Sequence, residues 1–233
     1  MKKKFKIGIS PIIIFLGVIC IAVSCSKDEV EDKVEDKITD KDGNVYTSVT
    51  IGTQVWMVEN LKTTKYNDGT AIPNVTDNTE WSNLVTPAYC WYDNDITNKT
   101  PYGALYNGYA VKTGKLCPTG WHVPSDTEWS TLINYAGGLD VAGGKLKETG
   151  TTHWNSPNTG ATDEYGFKYL PGGLRDTYGS INNIGIVGDY WGDDSQTSGY
   201  QFSIGIFYND NSVGTTSSGF QDEGISVRCL KDN

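Results

Sequence analysis

Five cysteines, two histidines and a scatter of loop carboxylates are the groups in this 233-residue chain able to bind or transform a partner. Cys20 and Cys25 fall in or beside an apolar N-terminal run, which leaves Cys90, Cys117 and Cys229. Three thiols cannot all pair within one chain. Cys90 lies among Tyr89, Trp91 and Tyr92 and reads as core, which favours Cys117 with Cys229; spacing alone leaves a pairing of Cys90 with either partner open. His122 and His153 form no ligand-spaced H-x-x-x-H pair. His122, between Trp121 and Val123, reads as a hydrogen-bonded structural residue, and His153 as part of a polar loop. No serine occupies a nucleophile elbow and no glycine-rich loop opens a helix in phosphate-binding style; Asn107-Gly108 reads as a turn.

Hard oxygens and flat rings are the remaining candidates. Asp93-Asn94-Asp95, Asp189 with Asp193-Asp194, and Asn209-Asp210-Asn211 place carboxylates and amides on loops, where calcium is the cofactor they would take. None follows the EF-hand spacing; Asp93 and Asp95 are the candidate metal ligands. Trp129 and Trp56 read as core. Trp154 and Trp191 are bordered by Asn155, Ser156, Gly192 and Asp193, the company of a loop platform that stacks on a sugar or on a partner's side chain. Packing of a loop onto the core is the plain alternative for each tryptophan alone; together Trp154, Trp191, Asp193 and Asp194 are the candidate ligand surface.

The N-terminus gives an address. Lys2, Lys3, Lys4 and Lys6 precede an apolar run from Ile7 through Val23, with small residues before Cys25, the layout of a secretory signal. Ile21-Ala-Val-Ser-Cys25 resembles the lipobox of bacterial lipoproteins, which implies a lipid-modified Cys25 and attachment to the membrane through that lipid. Gly8, Ser10, Pro11 and Gly17 interrupt the run, and acidic Ser26-Lys-Asp-Glu29 comes directly after it, which speaks against an uncleaved spanning anchor. That tetrapeptide also resembles the export signal of Bacteroidota surface lipoproteins, with a charged spacer as the plain alternative. The expected location is the outer membrane, at the cell surface. Loss of residues 1–24 takes four lysines and no acid, so the formal charge moves from −9 to −13. Such acidity repels phosphate backbones, and no nucleic-acid partner is expected.

The elements beyond the signal must position these groups. Residues 25–42 are nearly all charge, with Val30-Glu-Asp-Lys33 repeated as Val34-Glu-Asp-Lys37, and read as a stalk without a packing face. The folded domain is expected over 43–233. Val45, Val49, Ile51, Val55, Trp56 and Val58 flank Gly52-Thr53 as a hairpin. Residues 62–104 read as loop around a short strand at 88–92. Ser125-Asp-Thr-Glu128 is a capping box, and Trp129, Leu132, Ile133 and Ala136 form one apolar helical stripe closed by Gly137-Gly138. A second helix is expected from Asp140 to Lys147, weakened by Gly143-Gly144. Strands are expected at 166–170, 188–191, 200–208 and 224–230. Few helices on small antiparallel sheets make an α+β fold.

Five segments in order resemble a known family: Val49-Thr-Ile-Gly-Thr-Gln-Val-Trp-Met-Val-Glu-Asn-Leu61, Tyr102-Gly-Ala-Leu-Tyr106, Leu116-Cys-Pro-Thr-Gly-Trp-His-Val-Pro-Ser-Asp-Thr-Glu-Trp129, Leu170-Pro-Gly-Gly-Leu-Arg175 and Gly224-Ile-Ser-Val-Arg-Cys-Leu-Lys-Asp232. They are similar to the Fibrobacter succinogenes major paralogous domain of envelope proteins, a family without an agreed activity. Val123-Pro-Ser-Asp-Thr-Glu-Trp129 and Val227-Arg-Cys229 are also similar to the formylglycine-generating (sulfatase-modifying factor) family. That similarity implies a C-type-lectin-like fold with the first and last strands paired, and a disulfide from the helix region to the last strand, favouring Cys117 with Cys229. Formylglycine chemistry needs two reactive cysteines late in the domain, and only Cys229 follows Cys117. The chain is therefore expected to be no enzyme. A noncatalytic recognition or adhesion module, for glycans or for an envelope protein, is the expected function; a structural or assembly component is the alternative.

Overall fold

The computed structural model describes residues 37–193, 201–216 and 220–233. Cys25, most of the expected stalk and Asp194 lie outside the described residues. The fold begins earlier than residue 43. Ile38–Thr39 forms β1 and pairs antiparallel with β2, Val45–Tyr46. The acids that read as stalk are turn ligands. Asp40 accepts the backbone N–H groups of Asp42 and Asn44 and the Tyr46 hydroxyl (2.6 Å), and Asp42 accepts the N–H and hydroxyl of Thr64.

The expected hairpin is present as β3 (Ser48–Ile51) and β4 (Gln54–Met57), joined by Gly52-Thr53 with Gly52 at φ +61°. A positive φ at the first loop position is what a two-residue hairpin asks of glycine. Residues 62–104 are mostly loop, broken by α1 (Asn78–Ser82), β5 (Tyr89–Cys90) and α2 (Lys99–Tyr102). Then come β6 (Leu105–Asn107), α3 (Gly108–Val111) and β7 (Trp121–His122). The capping box forms as read: Ser125 and Glu128 bond reciprocally and start α4 (Asp126–Tyr135), with α5 (Leu139–Leu146) behind it. The last third holds β8 (Leu174–Arg175), β9 (Ile181–Asn182), β10 (Val187–Asp193), β11 (Gln201–Phe207), β12 (Gly214–Thr216), β13 (Gly224–Ile225) and β14 (Leu230–Lys231).

Among the described residues these strands make small antiparallel sheets ordered β1-β2, β10-β11-β12, β5-β6-β13-β8-β9 and β3-β4-β14-β7. The fold is mixed helix and sheet, as expected, and the last strand pairs with the N-terminal hairpin through Leu230 opposite Trp56. No helix among the described residues is long and apolar enough to cross a membrane.

Two expected strands resolve differently. Residues 166–170 make only an isolated bridge from Tyr169 to Lys147, because Lys168 is left-handed (φ +51°) and the carbonyls of Phe167 and Lys168 face Arg228 instead of a ladder. The stretch 224–230 splits into β13 and β14 in separate sheets. Between them Ser226 bonds β10, donating to Asp189 O and accepting from Trp191 N–H, while Val227 O and Cys229 O accept from Leu61 and Met57.

Strand alternation sends neighbouring residues into two cores. Tyr190, Trp56 and Leu230 join Trp129, Leu132, Ile133 and the Phe202, Ile204, Ile206 face of β11. Trp191, Met57 and Cys229 point the other way, among Tyr106, Leu116, Val123 and Ile225. A third cluster packs Trp81, Ala88, Cys90 and Leu105.

Candidate functional site

The two candidate tryptophans are interior residues. Trp154 is 1% and Trp191 0% exposed. The Trp154 indole N–H donates to Tyr169 O (2.9 Å) and that of Trp191 to Tyr106 O (2.7 Å), so each polar tip is satisfied inside the fold. Their polar sequence neighbours misled: Gly192 and Asp193 flank Trp191 on a strand whose alternate residues enter opposite cores. Asp193 ends β10, its backbone N–H on Pro124 O. Trp154 and Trp191 therefore present no stacking face to a ligand, and Asp194 lies outside the described residues.

The remaining sequence candidates have local roles. Asp95 accepts the Thr97 N–H as a cap (2.9 Å), and Asp93 is an exposed left-handed turn residue. Among the described residues no three His, Cys, Asp or Glu side chains gather as a metal-binding group. Cys117 and Cys229 form the disulfide, and Cys90 is free and buried. Burial pushes its thiol up to about 11 despite nearby Arg175, which leaves it unreactive at neutral pH. His122 is structural, as read: Nδ1 lies 2.7 Å from Asp232 and Nε2 3.0 Å from Glu128. His153 pairs with Glu148 at 2.6 Å.

Three of the residues that carry the family resemblance, Asn60, Arg175 and Arg228, are spent inside. Arg228, fully buried, donates to Asn60 Oδ1, to Phe167 O (2.7 Å) and to Met57 O (3.3 Å), and its guanidinium lies 4.7 Å from the Phe167 ring centre. Asn60 also accepts the Tyr190 hydroxyl (2.7 Å) and donates to Tyr102 O (2.8 Å). Arg175 is buried too; it donates to Val75 O, Thr76 O, Gly179 O and Asn78 Oδ1 and stacks 4.3 Å from the Trp81 ring centre. A buried guanidinium is tolerated only when its donors are met in this way.

Among the described residues a shallow depression of about 420 Å³ is lined by Ser82, Asn83, Leu84, Val85, Tyr109, Gln221 and Asp222. Three elements build it. Asp77 caps α1 and Asn83 closes it, which sets Ser82–Val85 along one rim. Asn107, expected as a turn residue, is instead a buried tie: its amide oxygen accepts from Ala88 and Ala110 N–H (3.0 Å each) and its nitrogen donates to Thr86 O. That cap fixes the first turn of α3 and so places Tyr109. The 221–222 turn is held from below. Trp81 Nε1 donates to Asp222 O (2.7 Å), Gly108 N to Gln221 O (2.8 Å), and Gln201 Nε2 to Gly108 O (2.7 Å). Gly108 must be glycine here, since a Cβ would collide with Gln201 Oε1 and stand 2.9 Å from the Gln221 Cα. Gln201 Oε1 itself is buried without a partner.

None of the lining residues belongs to the five motif segments. Periodicity could not have found them, because they sit on helix ends and a turn that meet only in three dimensions. A second hollow, of about 280 Å³, lies over Gln54, Glu128, Thr131 and Asp232 and consists largely of motif residues. Its carboxylates are already engaged by His122.

Comparison with curated proteins and with solved structures finds no match. The profile of the Fibrobacter succinogenes major domain matches residues 49–231, the whole span over which Asn60, Arg175 and Arg228 build the interior, and the chain belongs to that family.

Proposed function

We propose that this protein is a noncatalytic recognition module, tethered by a lipid on Cys25 to the outer membrane and facing the cell exterior, whose ligand is a glycan held in the Tyr109 depression. A C-type-lectin-like frame is part of the reading, supported by the pairing of the last strand with the N-terminal hairpin and by the Cys117–Cys229 disulfide. The observation that carries it is the lining itself. One aromatic face, two amides, a hydroxyl and one carboxylate around a shallow hollow suit a sugar ring, which needs stacking on one side and hydrogen bonds at its edge. The helix caps and Trp81 fix those groups before any ligand arrives, which lowers the cost of ordering on binding. Their place outside the motif segments supports a shared frame carrying an individual rim.

The test is an array of envelope and plant glycans probed with the wild type and with Tyr109→Ala. We expect at least a tenfold loss on the glycans bound, with unfolding temperature unchanged and no effect of EDTA, since a lining with one carboxylate makes a poor calcium cage. Identical array profiles for the two proteins would end the proposal. A second reading, a structural component holding another envelope protein, is favoured by the exposed Tyr135, Leu139 and Val141 around the α4–α5 corner. Silence on the array together with envelope cross-links lost on Val141→Glu would move the function to that face.

A further inference from the structure

The depression has a charge as well as a shape. Among the described residues Asp222 is the sole charged side chain in its lining, and no lysine or arginine lines it. The nearest cation along the chain from Tyr109 is Lys112, which is exposed and outside the lining. Arg175, stacked on Trp81 under the same turn, has its donors consumed by Val75, Thr76, Gly179 and Asn78, so it cannot offer a fork to a ligand acid. An acidic sugar entering here would meet repulsion with no compensating base.

Resting on the glycan reading above, we infer that the ligand is an amino sugar, its ammonium group on Asp222 and its apolar ring face on Tyr109. A carboxylate beside an aromatic ring is the pairing that holds a small organic cation, the ring supplying its negative π face and the acid a charge-assisted hydrogen bond. Asn83 and Gln221 then take hydroxyls at the ring edge, and Val85 and Leu84 cover the opposite C–H groups.

Calorimetric titration of the full-length chain at pH 6 tests this with a glucosamine tetramer, its N-acetylated form, a neutral glucose tetramer, a galacturonate tetramer and tetralysine. The expected result is at least tenfold tighter binding of the glucosamine tetramer than of either uncharged tetramer, with no heat from galacturonate. Asp222→Asn is expected to bring the three non-acidic tetramers within about twofold of one another. Equal or tighter binding of the uncharged tetramers, binding of galacturonate, or a preference that survives Asp222→Asn overturns the amino-sugar assignment and leaves the glycan reading standing. No binding of any sugar overturns both, and tetralysine binding alone assigns the hollow to a basic peptide instead.

Discussion

His122 shows how a residue that could do chemistry is held to a mechanical task. An imidazole with a carboxylate on each nitrogen satisfies both only when it carries two protons. Burial opposes that charge, but the bonds to Asp232 and Glu128 outweigh it and raise the pKa above 6.5. A group that binds its proton more tightly folded than unfolded contributes stability that is complete below the unfolded value and fades as pH rises through the folded one. The imidazole is more than a third exposed, so solvent screening holds the gain to about 1 kcal/mol at most. His122→Gln should therefore lower the melting temperature by about 2–4 °C at pH 5.5 and by much less at pH 8.5. An equal drop at both pH values would show that the ring matters by shape alone. Cys90 and the buried tryptophans teach the complementary lesson: reactivity and stacking power come with exposure, which residue type does not encode. The depth of Cys90 was legible from its aromatic neighbours, whereas that of Trp154 and Trp191 was hidden by polar ones.

At the scale of the element, caps and periodicity read cleanly and backbone detours did not. The Ser125–Glu128 box and the stripe through Ile133 gave α4 because both signals are local. The glycine pair in α5 looked like a weakness, yet it is why the helix can be covered. A Cβ on Gly143 would lie 2.5 Å from Ser212 O and 2.6 Å from Asn211 O, and one on Gly144 would lie 2.6 Å from Gly160 O. Alanine is the better helix former by about 1 kcal/mol. Crowding a closed backbone contact costs about 1–3 kcal/mol, and neither partner is a side chain that can swing aside. Gly143→Ala should accordingly lower the melting temperature, and any rise would mean the 211–212 turn yields freely. The segments 166–170 and 224–230 read as strands on composition. Their carbonyls were claimed by Arg228, Leu61 and Met57, contacts that no window of sequence contains.

For the molecule as a whole, the ordered set of motifs was enough to place the family and the helix-and-sheet character. It was not enough to place a site, since the motif side chains converge inward on Asn60, Arg175 and Arg228 while the hollow is built from residues between them. One covalent tie spans this arrangement. Cys117 and Cys229 are 112 positions apart, so their bond closes most of the described chain into a loop. On the chain-entropy account a loop that long contributes about 4–5 kcal/mol by limiting the unfolded ensemble. The double variant Cys117→Ser with Cys229→Ser should lose about that much in denaturant titrations. A loss below about 1 kcal/mol would mean the strand pairing of β14 already holds the ends together.

Six of the seven tryptophans are sealed in the interior, and Trp121 alone is partly open. Intrinsic fluorescence of the native protein should therefore be blue-shifted and largely deaf to acrylamide. Trp81 is the exception in kind, because its indole N–H grips Asp222 O on the floor of the hollow. An emission change on adding a sugar that is lost in Trp81→Phe would thus report movement of that turn, giving the protein an optical gauge of occupancy that needs no attached dye.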